Sequence, residues 1–288
     1  MRDNLQQASL AARLENGQLI ALPQCPFPLP DPTDLDFLRQ QKIRHGWMPS
    51  IQWDPNTNRL EGNKPVGVNE TERLARILRD FSDYATGWLA NQLPEYSGHW
   101  QRDRACLRTE QELSRPARTN DCLHIDSFSD RPTQGRRLLR IFVNCDQEEP
   151  RVLQTSELFP ELLLRFQARH RVPLRSATEW REPLSGLQKL IHGDWSGRPA
   201  YDSFMLNLKQ YLKSDDLFQE RAPRTLWTFP PQSTWFFYTD VLSHAVLRGR
   251  YLLEHSYLVP LDSLVEPAMA PINYLIMAGQ QQRMKRAG

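Results

Sequence analysis

The sequence has almost no excess charge of either sign. Its 36 lysines and arginines and 34 aspartates and glutamates give a formal net charge of +2 over 288 residues. Proteins that bind mainly nucleic acid usually carry a pronounced basic surplus, so this balance argues against such a partner. A site for an anion would therefore have to be a local group of basic side chains.

Cysteines and long apolar runs are also scarce. The four cysteines, at positions 25, 106, 122 and 145, form no CxxC pair, which argues against a zinc ribbon or a thioredoxin-type motif. No apolar run approaches the ~20 residues of a membrane-spanning helix, and the first residues lack the apolar core of a signal peptide. We therefore expect a cytoplasmic protein with reduced thiols that at most contacts the cytoplasmic surface of a membrane.

Several common catalytic motifs are absent. There is no Walker loop, no GxGxxG after a strand and no GxSxG elbow. These absences argue against P-loop, dinucleotide-binding and serine-hydrolase chemistry. The composition, 40% hydrophobic and 24% charged, is that of an ordinary globular protein.

Four segments have helical patterns. The clearest runs from Glu70 to Leu93, with Asn69 as the expected N-cap and Pro94 after its end. The other predicted helices are residues 156–169, a helix after Ser176, and residues 201–212. On the last of these, Lys209 lies on the polar side, opposite the apolar face.

Strand-like segments flank the later helices. They are residues 123–126, 138–144, 225–229, 234–239 and 250–259. Strands on both sides of a helical insertion, without regular βαβ alternation, predict an α+β fold around an antiparallel β-core. We expect residues 1–288 to form a single domain, with an extended, proline-rich N-terminal segment of about residues 1–68 packed on it.

A metal site is indicated by His124, Asp126 and His244. Non-haem iron oxygenases hold Fe(II) with two imidazoles and one carboxylate, leaving positions for a cosubstrate and O₂. Residues i and i+2 of a strand point the same way, so His124 and Asp126 present two ligands together, and His244 would supply the third. The triplet alone is a weak signal, because residues 192–194 form a second His-x-Asp. The helical pattern before Gly193 favours a structural role for that second pair.

A basic residue lies in the middle of a predicted strand. In LLRIFVN, residues 138–144, alternation places Arg140 on the same face as Asn144. A charge inside an apolar strand needs a partner, and a guanidinium can bind a carboxylate through two parallel hydrogen bonds. We therefore expect Arg140 and Asn144 at a cosubstrate site. An arginine on the solvent face of an edge strand is equally consistent with the spacing.

Three runs of the sequence resemble the bacterial Kdo 3-hydroxylase family. They are LHIDSFSDRPTQGRRLLRIFVN (residues 123–144), YDSFMLNLKQYLKSDDLFQ (201–219) and STWFFYTDVLSHAVLRG (233–249). Members hydroxylate 3-deoxy-D-manno-oct-2-ulosonic acid (Kdo), using Fe(II), 2-oxoglutarate and O₂. The resemblance implies a double-stranded β-helix (jelly-roll) core. It also implies hydroxylation at C3 of the terminal Kdo of Kdo-lipid A, in the lipopolysaccharide inner core, with release of succinate and CO₂.

The resemblance also implies roles for individual residues. The two histidines and the aspartate of the triad match the family's iron ligands, and Arg140 matches its strand arginine for 2-oxoglutarate. Arg108 is similar to a second arginine for that cosubstrate. The carboxylate of Kdo needs further basic partners, for which the candidates are Arg136, Arg248 and Arg250.

Two other functions are also consistent with the sequence. One is a 2-oxoglutarate oxygenase of the same fold that acts on another sugar, lipid or protein. The other is a cupin-like protein that binds a metal or ligand without oxidation. Release of succinate would separate the enzymes from the binder, whereas the oligomeric state is not indicated by the sequence.

Overall fold

The computed structural model describes residues 8–41, 50–62, 67–109, 121–183 and 197–287. The strands in these ranges are β1 (Ile20–Leu22), β2 (Ile51–Asp54), β3 (Arg59–Gly62), β4 (Gln101–Arg108), β5 (Arg137–Asn144), β6 (Arg151–Leu158), β7 (Thr225–Phe229), β8 (Thr234–Tyr238), β9 (Leu242–Arg248) and β10 (Leu252–Val259). The helices there are α1 (Leu10–Glu15), α2 (Pro32–Gln40), α3 (Val68–Gln92), α4 (Phe159–Arg169), α5 (Ala177–Arg181), α6 (Ala200–Ser214), α7 (Asp216–Arg221) and α8 (Pro271–Ala287).

The larger sheet has the strand order β1-β8-β5-β10-β4-β2-β3, and its paired neighbours are antiparallel. Its central strands, β5 and β10, read RLLRIFVN and LLEHSYLV, and every residue in them is buried. A strand covered on both faces carries apolar side chains on both faces, which explains these nearly continuous apolar runs. The few charged residues in them must therefore have buried partners.

The smaller sheet has the order β7-β6-β9, again antiparallel. His124 extends it beyond β9, because His124 and His244 form an antiparallel bridge. The strand predicted at 123–126 is thus reduced to one bridged residue. This bridge brings the two predicted histidine ligands together.

The two sheets face each other across a cavity. Arg140 and Phe142 of β5 line it from the larger sheet, and Leu153 of β6 and His244 of β9 line it from the smaller one. The period-two alternation predicted for β5 is confirmed at Arg140 and Phe142. The ring of Trp235, on the neighbouring strand β8, stacks on that of Phe142 at 5.5 Å between centroids, so the larger sheet presents an aromatic wall to the cavity.

Helix α3 packs on the larger sheet, against β2, β4 and β10. Its apolar residues at helical spacing, among them Leu74, Ile77, Leu78 and Phe81, are buried. The helix ends with Leu93 as its C-cap, directly before Pro94. The prediction of Asn69 as the N-cap is wrong, because the N-cap is Gly67. The helix begins at Val68, and the carbonyl oxygen of Gly67 accepts hydrogen bonds from the backbone nitrogen and Oγ1 of Thr71.

The segment between β6 and β7 contains helices α4 to α7. Helix α4 begins at Phe159 instead of in the region of Ser156, because β6 continues to Leu158 and a proline follows in the first helical turn. The predicted helix after Ser176 is confirmed as α5, which begins with a capping box formed by Ser176 and Glu179. The predicted helix from residue 201 is confirmed as α6. Among the described residues, no helix is both long and apolar enough to cross a membrane.

Candidate metal centre and its cavity

The backbone fixes the positions of the three candidate ligands. The nitrogen of His124 donates to the carbonyl oxygen of His244 over 3.0 Å, and the reverse hydrogen bond is 2.8 Å long. The nitrogen of Asp126 donates to the carbonyl oxygen of Thr239 over 2.7 Å. The His-x-Asp segment is therefore held against β9 and the turn that precedes it.

The donor atoms of these three residues converge. Nε2 of His124 lies 3.7 Å from Oδ1 of Asp126, and Nε2 of His244 lies 3.8 Å from Oδ2. The Nδ1 atoms face the carbonyl oxygens of Cys122 and Leu242, at 2.7 and 3.0 Å. Since a carbonyl oxygen can only accept, each Nδ1 carries the proton and each Nε2 keeps its lone pair for a metal.

Burial sets the protonation of the site. It lowers the pKa of His124 well below its ordinary value, and the adjacent His244 adds to that effect. It also lowers the pKa of His244. Burial alone would raise the pKa of Asp126, but the guanidinium of Arg140 holds it well below its usual range. At neutral pH the site thus presents two neutral imidazoles and a carboxylate, the forms that bind a metal.

This donor set fits Fe(II). In the described part of the chain, these three residues form the one cluster of His, Cys, Asp or Glu that could hold a metal ion. Two imidazoles and one carboxylate suit non-haem Fe(II) and leave further coordination positions open. The second His-x-Asp, His192 and Asp194, lies outside the described residues, and its structural role stays a prediction.

Arg140 connects the metal centre to a second buried carboxylate. Its Nη1 donates to Oδ2 of Asp126 over 2.6 Å, and its Nη2 lies 2.6 Å from Oε1 of Glu254. Nε of Arg108 lies 2.9 Å from the other oxygen of Glu254. Arg140 is only 5% exposed, which excludes the alternative of an arginine on a solvent-facing strand.

The cavity around these residues has a volume of 810 Å³. Its charged lining comprises six basic side chains, Arg104, Arg108, Arg131, Arg140, Arg151 and Lys209, and four acidic ones, Glu61, Asp126, Asp130 and Glu254. The basic surplus is therefore two charges before any metal binds. Burial, followed by the nearby charge of Arg108, lowers the pKa of Arg151 to about 10, as expected where positive charge is crowded.

Seven of these ten charged residues were not predicted from the sequence, among them Arg151, Lys209 and Glu254. Glu254 lies within the apolar run of β10, the same signal that identified Arg140 in β5. Arg151 begins a strand in which alternate residues are buried, so period-two alternation could have found it. For Lys209 the helical pattern indicated only a polar face, and nothing in it shows that this face meets the cavity.

Asn144, expected beside Arg140, does not line the cavity. Its Nδ2 donates to the carbonyl oxygens of Glu149 and Phe229, at 3.0 and 3.1 Å. It therefore ties the end of β5 to its neighbouring segments, and its predicted contact with a cosubstrate stays untested. Arg108 and Arg140, by contrast, both line the cavity.

The three arginines expected at the acceptor do not line the cavity either. Arg136 donates through Nη1 to Oε1 of Gln101 over 2.5 Å. Nε of Arg250 lies 2.6 Å from Oδ2 of Asp146, and Arg248 is exposed at the end of β9. Their predicted contact with the acceptor also stays untested, although the cavity offers other cations.

Comparison with solved structures finds several structures of one enzyme among the matches. The chain is similar to a crystal structure of the Kdo hydroxylase KdoO, described as a non-heme Fe(II) alpha-ketoglutarate dependent dioxygenase, in complex with alpha-ketoglutarate and Fe(III). The TM-score is 0.80 and the identity 26%, covering 96% of this chain and 90% of that one. A cobalt(II) complex of KdoO matches with a TM-score of 0.81 and 25% identity, covering 96% and 91%. A complex with succinate and Fe(III) matches with a TM-score of 0.79 and 26% identity, covering 96% and 90%.

Comparison with curated protein sequences finds no match. The model of a protein family described as 3-deoxy-D-manno-oct-2-ulosonic acid (Kdo) hydroxylase matches residues 1–282. That range contains both sheets, all three candidate metal ligands and every lining residue of the cavity. The chain therefore belongs to the Kdo hydroxylase family.

Proposed function

We propose that this protein is an Fe(II)- and 2-oxoglutarate-dependent dioxygenase that hydroxylates C3 of the terminal Kdo of Kdo-lipid A. The reaction would convert 2-oxoglutarate, O₂ and the sugar C–H group into succinate, CO₂ and a sugar C–OH group. The observation that carries the proposal is the triad of His124, Asp126 and His244 within a basic cavity, in a chain of this family.

The iron would be held by Nε2 of His124, Nε2 of His244 and the carboxylate of Asp126. When bound, iron and 2-oxoglutarate supply the oxidation of an unactivated C–H bond, which no protein side chain can perform. The Nδ1 hydrogen bonds fix both imidazole rings. Arg140 keeps one oxygen of Asp126 engaged, which orients the carboxylate toward the metal.

The carboxylates of 2-oxoglutarate would meet the basic wall of the cavity. Arg108 and Arg140 both form ion pairs with the carboxylate of Glu254. The buried Arg151 lies close enough to Arg108 for that charge to lower its pKa. Once iron binds, the surplus of positive charge in the cavity grows by two. A dianionic cosubstrate offsets that charge, and arginine forks match its carboxylates in geometry.

An aromatic wall would keep water from the reacting groups. Phe142, Trp235 and Phe237 all line the cavity and are almost fully buried. The ring of Phe237 also lies edge-on to the imidazole of His244, with the centroids 5.2 Å apart. A dry site favours oxidation of the bound sugar over side reactions with water.

The β-core, we further propose, is a double-stranded β-helix. Two sets of four segments support this: β8-β5-β10-β4 in the larger sheet, and β7-β6-β9 with the His124 segment in the smaller one. A single domain is supported by β1, β2 and β3. These strands come from the first 68 residues and are hydrogen-bonded into the larger sheet.

The acceptor would be met at a membrane surface. Kdo-lipid A is anchored by its acyl chains, so an enzyme that hydroxylates its Kdo must reach a headgroup in the plane of a bilayer. We place this encounter at the cytoplasmic face of the inner membrane, through peripheral contact. The basic surplus of the cavity would favour an anionic headgroup.

The test is to incubate Kdo-lipid A with the protein, Fe(II), 2-oxoglutarate and O₂. We expect the terminal Kdo to gain one oxygen atom by mass spectrometry, with one succinate formed per sugar oxidised. Succinate without an oxidised sugar would mean that another acceptor is used. Absence of succinate from the iron-loaded protein would favour a non-enzymatic binder and overturn the proposal.

A further inference from the structure

Lys209 brings a helix of the inserted segment to the metal centre. Its Nζ donates to the carbonyl oxygen of Ser127 over 3.0 Å, and Ser127 directly follows Asp126 in the chain. Lys209 also lines the same cavity as Asp126 and His244. A cation from α6 thus lies beside the proposed iron ligands, although α6 contributes no ligand itself.

This ammonium group lacks a carboxylate partner in the described ranges, where its hydrogen bond is to a neutral carbonyl oxygen. The carboxylate of Asp126 attracts the ammonium group of Lys209, but it already accepts a hydrogen bond from Arg140 and would bind the metal. Burial lowers the pKa of Lys209, Asp126 opposes the change, and the charge of Arg140 adds to it. A largely buried cation without a counter-ion is unfavourable, so this position favours an anionic ligand.

The chemistry of Kdo indicates which anion. Its carboxylate carbon is C1, which is bonded to C2, and C2 is bonded to C3. The acidic group therefore lies two bonds from the carbon that the proposed reaction oxidises. A side chain that binds this carboxylate at the edge of the metal centre would also determine which C–H bond faces the metal.

We infer that Lys209 binds the carboxylate of the acceptor Kdo and thereby orients C3 toward the metal centre. The inference rests on the proposed function, since it names a residue for that acceptor. Lys209 is a positioning residue for the reacting carbon. A lysine suits this role because its compact charge on a flexible stem binds a single carboxylate without the fixed fork of an arginine.

Four of the other five cations of the cavity are paired with carboxylates. The fifth, Arg151, donates through Nη1 to the carbonyl oxygen of Arg250 over 3.4 Å and lies near Arg108, in the wall proposed for 2-oxoglutarate. Arg108 and Arg140 share the carboxylate of Glu254. Arg104 lies 2.6 Å from Glu61 and 3.2 Å from Asp130.

Arg131, the remaining cation near the 127–131 loop, pairs with Asp103, and its guanidinium carbon lies 4.2 Å from the ring centroid of Phe128. The candidates from the sequence, Arg136, Arg248 and Arg250, do not line the cavity. Lys209 is therefore the cation beside the metal centre that is best placed for the acceptor.

The first test compares Lys209→Met with Lys209→Arg and with Lys285→Met, an exposed control on α8. Lys209→Met removes one partner of the proposed charge pair with the acceptor carboxylate. We therefore expect the KM for Kdo-lipid A to rise by about thirtyfold or more. The KM for 2-oxoglutarate and the affinity for Co(II) should change by less than about twofold, because neither involves the acceptor. Lys209→Arg should restore most of the acceptor affinity.

The second test measures binding without turnover. The Co(II) and 2-oxoglutarate form of the protein is titrated under argon with the methyl glycoside of Kdo, either as the free acid or as its methyl ester. Esterification should weaken binding to the wild-type protein strongly and binding to Lys209→Met only slightly. This non-additivity separates a direct contact with the carboxylate from a general effect on the cavity.

The outcomes distinguish the two proposals. If the wild-type protein oxidises Kdo-lipid A but Lys209→Met does so with an unchanged KM, the inference about Lys209 is wrong and the proposed function stands. If Lys209→Met loses Co(II) or 2-oxoglutarate binding, Lys209 has a structural role and the inference is again wrong. If the wild-type protein neither binds nor oxidises Kdo, both proposals are wrong.

Discussion

Nη1 of Arg140 lies 2.6 Å from Oδ2 of Asp126, so a strand of the larger sheet fixes the carboxylate of the metal centre. Replacing Arg140 by Ala leaves both Asp126 and Glu254 without this partner. Breaking such a buried pair typically costs ~2–5 kcal/mol. We expect a large rise in the KM for 2-oxoglutarate together with weaker iron binding.

Steady-state kinetics and iron titration measure these two effects. Arg108→Ala should raise the KM for 2-oxoglutarate with little effect on iron, since Arg108 contacts Glu254 and not a ligand. Arg102→Ala, which removes a more exposed arginine paired with Asp83, is the control. An Arg140→Ala protein with unchanged dependence on 2-oxoglutarate would remove Arg140 from the cosubstrate site.

The metal ligands can be tested by single substitutions. Replacing His124, Asp126 or His244 by Ala should abolish stoichiometric Fe(II) binding and turnover, because two protein ligands hold the ion far less tightly than three. Metal content after anaerobic loading measures the loss, and circular dichroism checks the fold. His99→Ala, at an exposed position, is the matched control.

His192→Ala and Asp194→Ala should also bind iron normally. Loss of iron from these two variants, with retention in the variants of the first triplet, would show that the wrong His-x-Asp pair was assigned.

A stability prediction concerns the ion pair between Arg137 and Asp240. Nε of Arg137 donates to Oδ2 of Asp240 over 2.9 Å, and the two side chains are 0% and 3% exposed. Asp240→Asn would leave a buried guanidinium without its counter-charge, which typically costs about 3–5 kcal/mol. Chemical denaturation measures the free energy of unfolding.

The exposed pair of Asp83 and Arg102 provides the comparison. Asp83→Asn should cost about 0–1 kcal/mol, because solvent screens that pair. Similar losses in the two variants would mean that the buried pair contributes little more than the exposed one.

A pH prediction follows from His255, a buried residue of β10 whose Nε2 lies 2.9 Å from Oγ of Ser82 in α3. Burial lowers its pKa from 6.5 to about 3. Below pH 6.5 the unfolded chain therefore takes up a proton that the folded chain does not, so this residue makes stability fall as the pH drops toward 3. Linkage predicts a loss of about 2 kcal/mol from this group between pH 7 and pH 5.

The check is the free energy of unfolding against pH for the wild-type protein and for His255→Gln. Glutamine does not titrate, so the two curves should converge as the pH falls from 7 to 5. Parallel curves would mean that His255 is not buried in its neutral form.

The clustering of the three candidate metal ligands was predictable because its signals are local. His124 and Asp126 are two residues apart on an extended segment, and an aromatic strand precedes His244. Arg140 was found because a charge interrupts an apolar strand. Each of these patterns fixes the direction of a side chain within its own element.

The cations that line the cavity were harder to predict because their positions depend on tertiary packing. Arg248 and Arg250 follow His244 closely in the sequence, yet they lie at the end of β9 and beyond it, outside the cavity. Lys209 lies 83 residues after Asp126 in the sequence. The packing of α6 brings its Nζ to the carbonyl oxygen of Ser127, the residue that follows Asp126. The helix pattern assigns such a residue to a polar face but does not say what that face contacts.

The paired backbone hydrogen bonds between His124 and His244 have a consequence for metal choice. These hydrogen bonds set the spacing of the two histidine backbones without a metal ion, and the Nδ1 hydrogen bonds orient both rings, so the candidate site is assembled before an ion binds. A site that is already assembled can release one metal ion and bind another without refolding. Such a site also discriminates poorly against other divalent metal ions of similar size, because their affinities for a given set of ligands follow the Irving–Williams order. Which metal this protein carries in a cell would then be decided by supply.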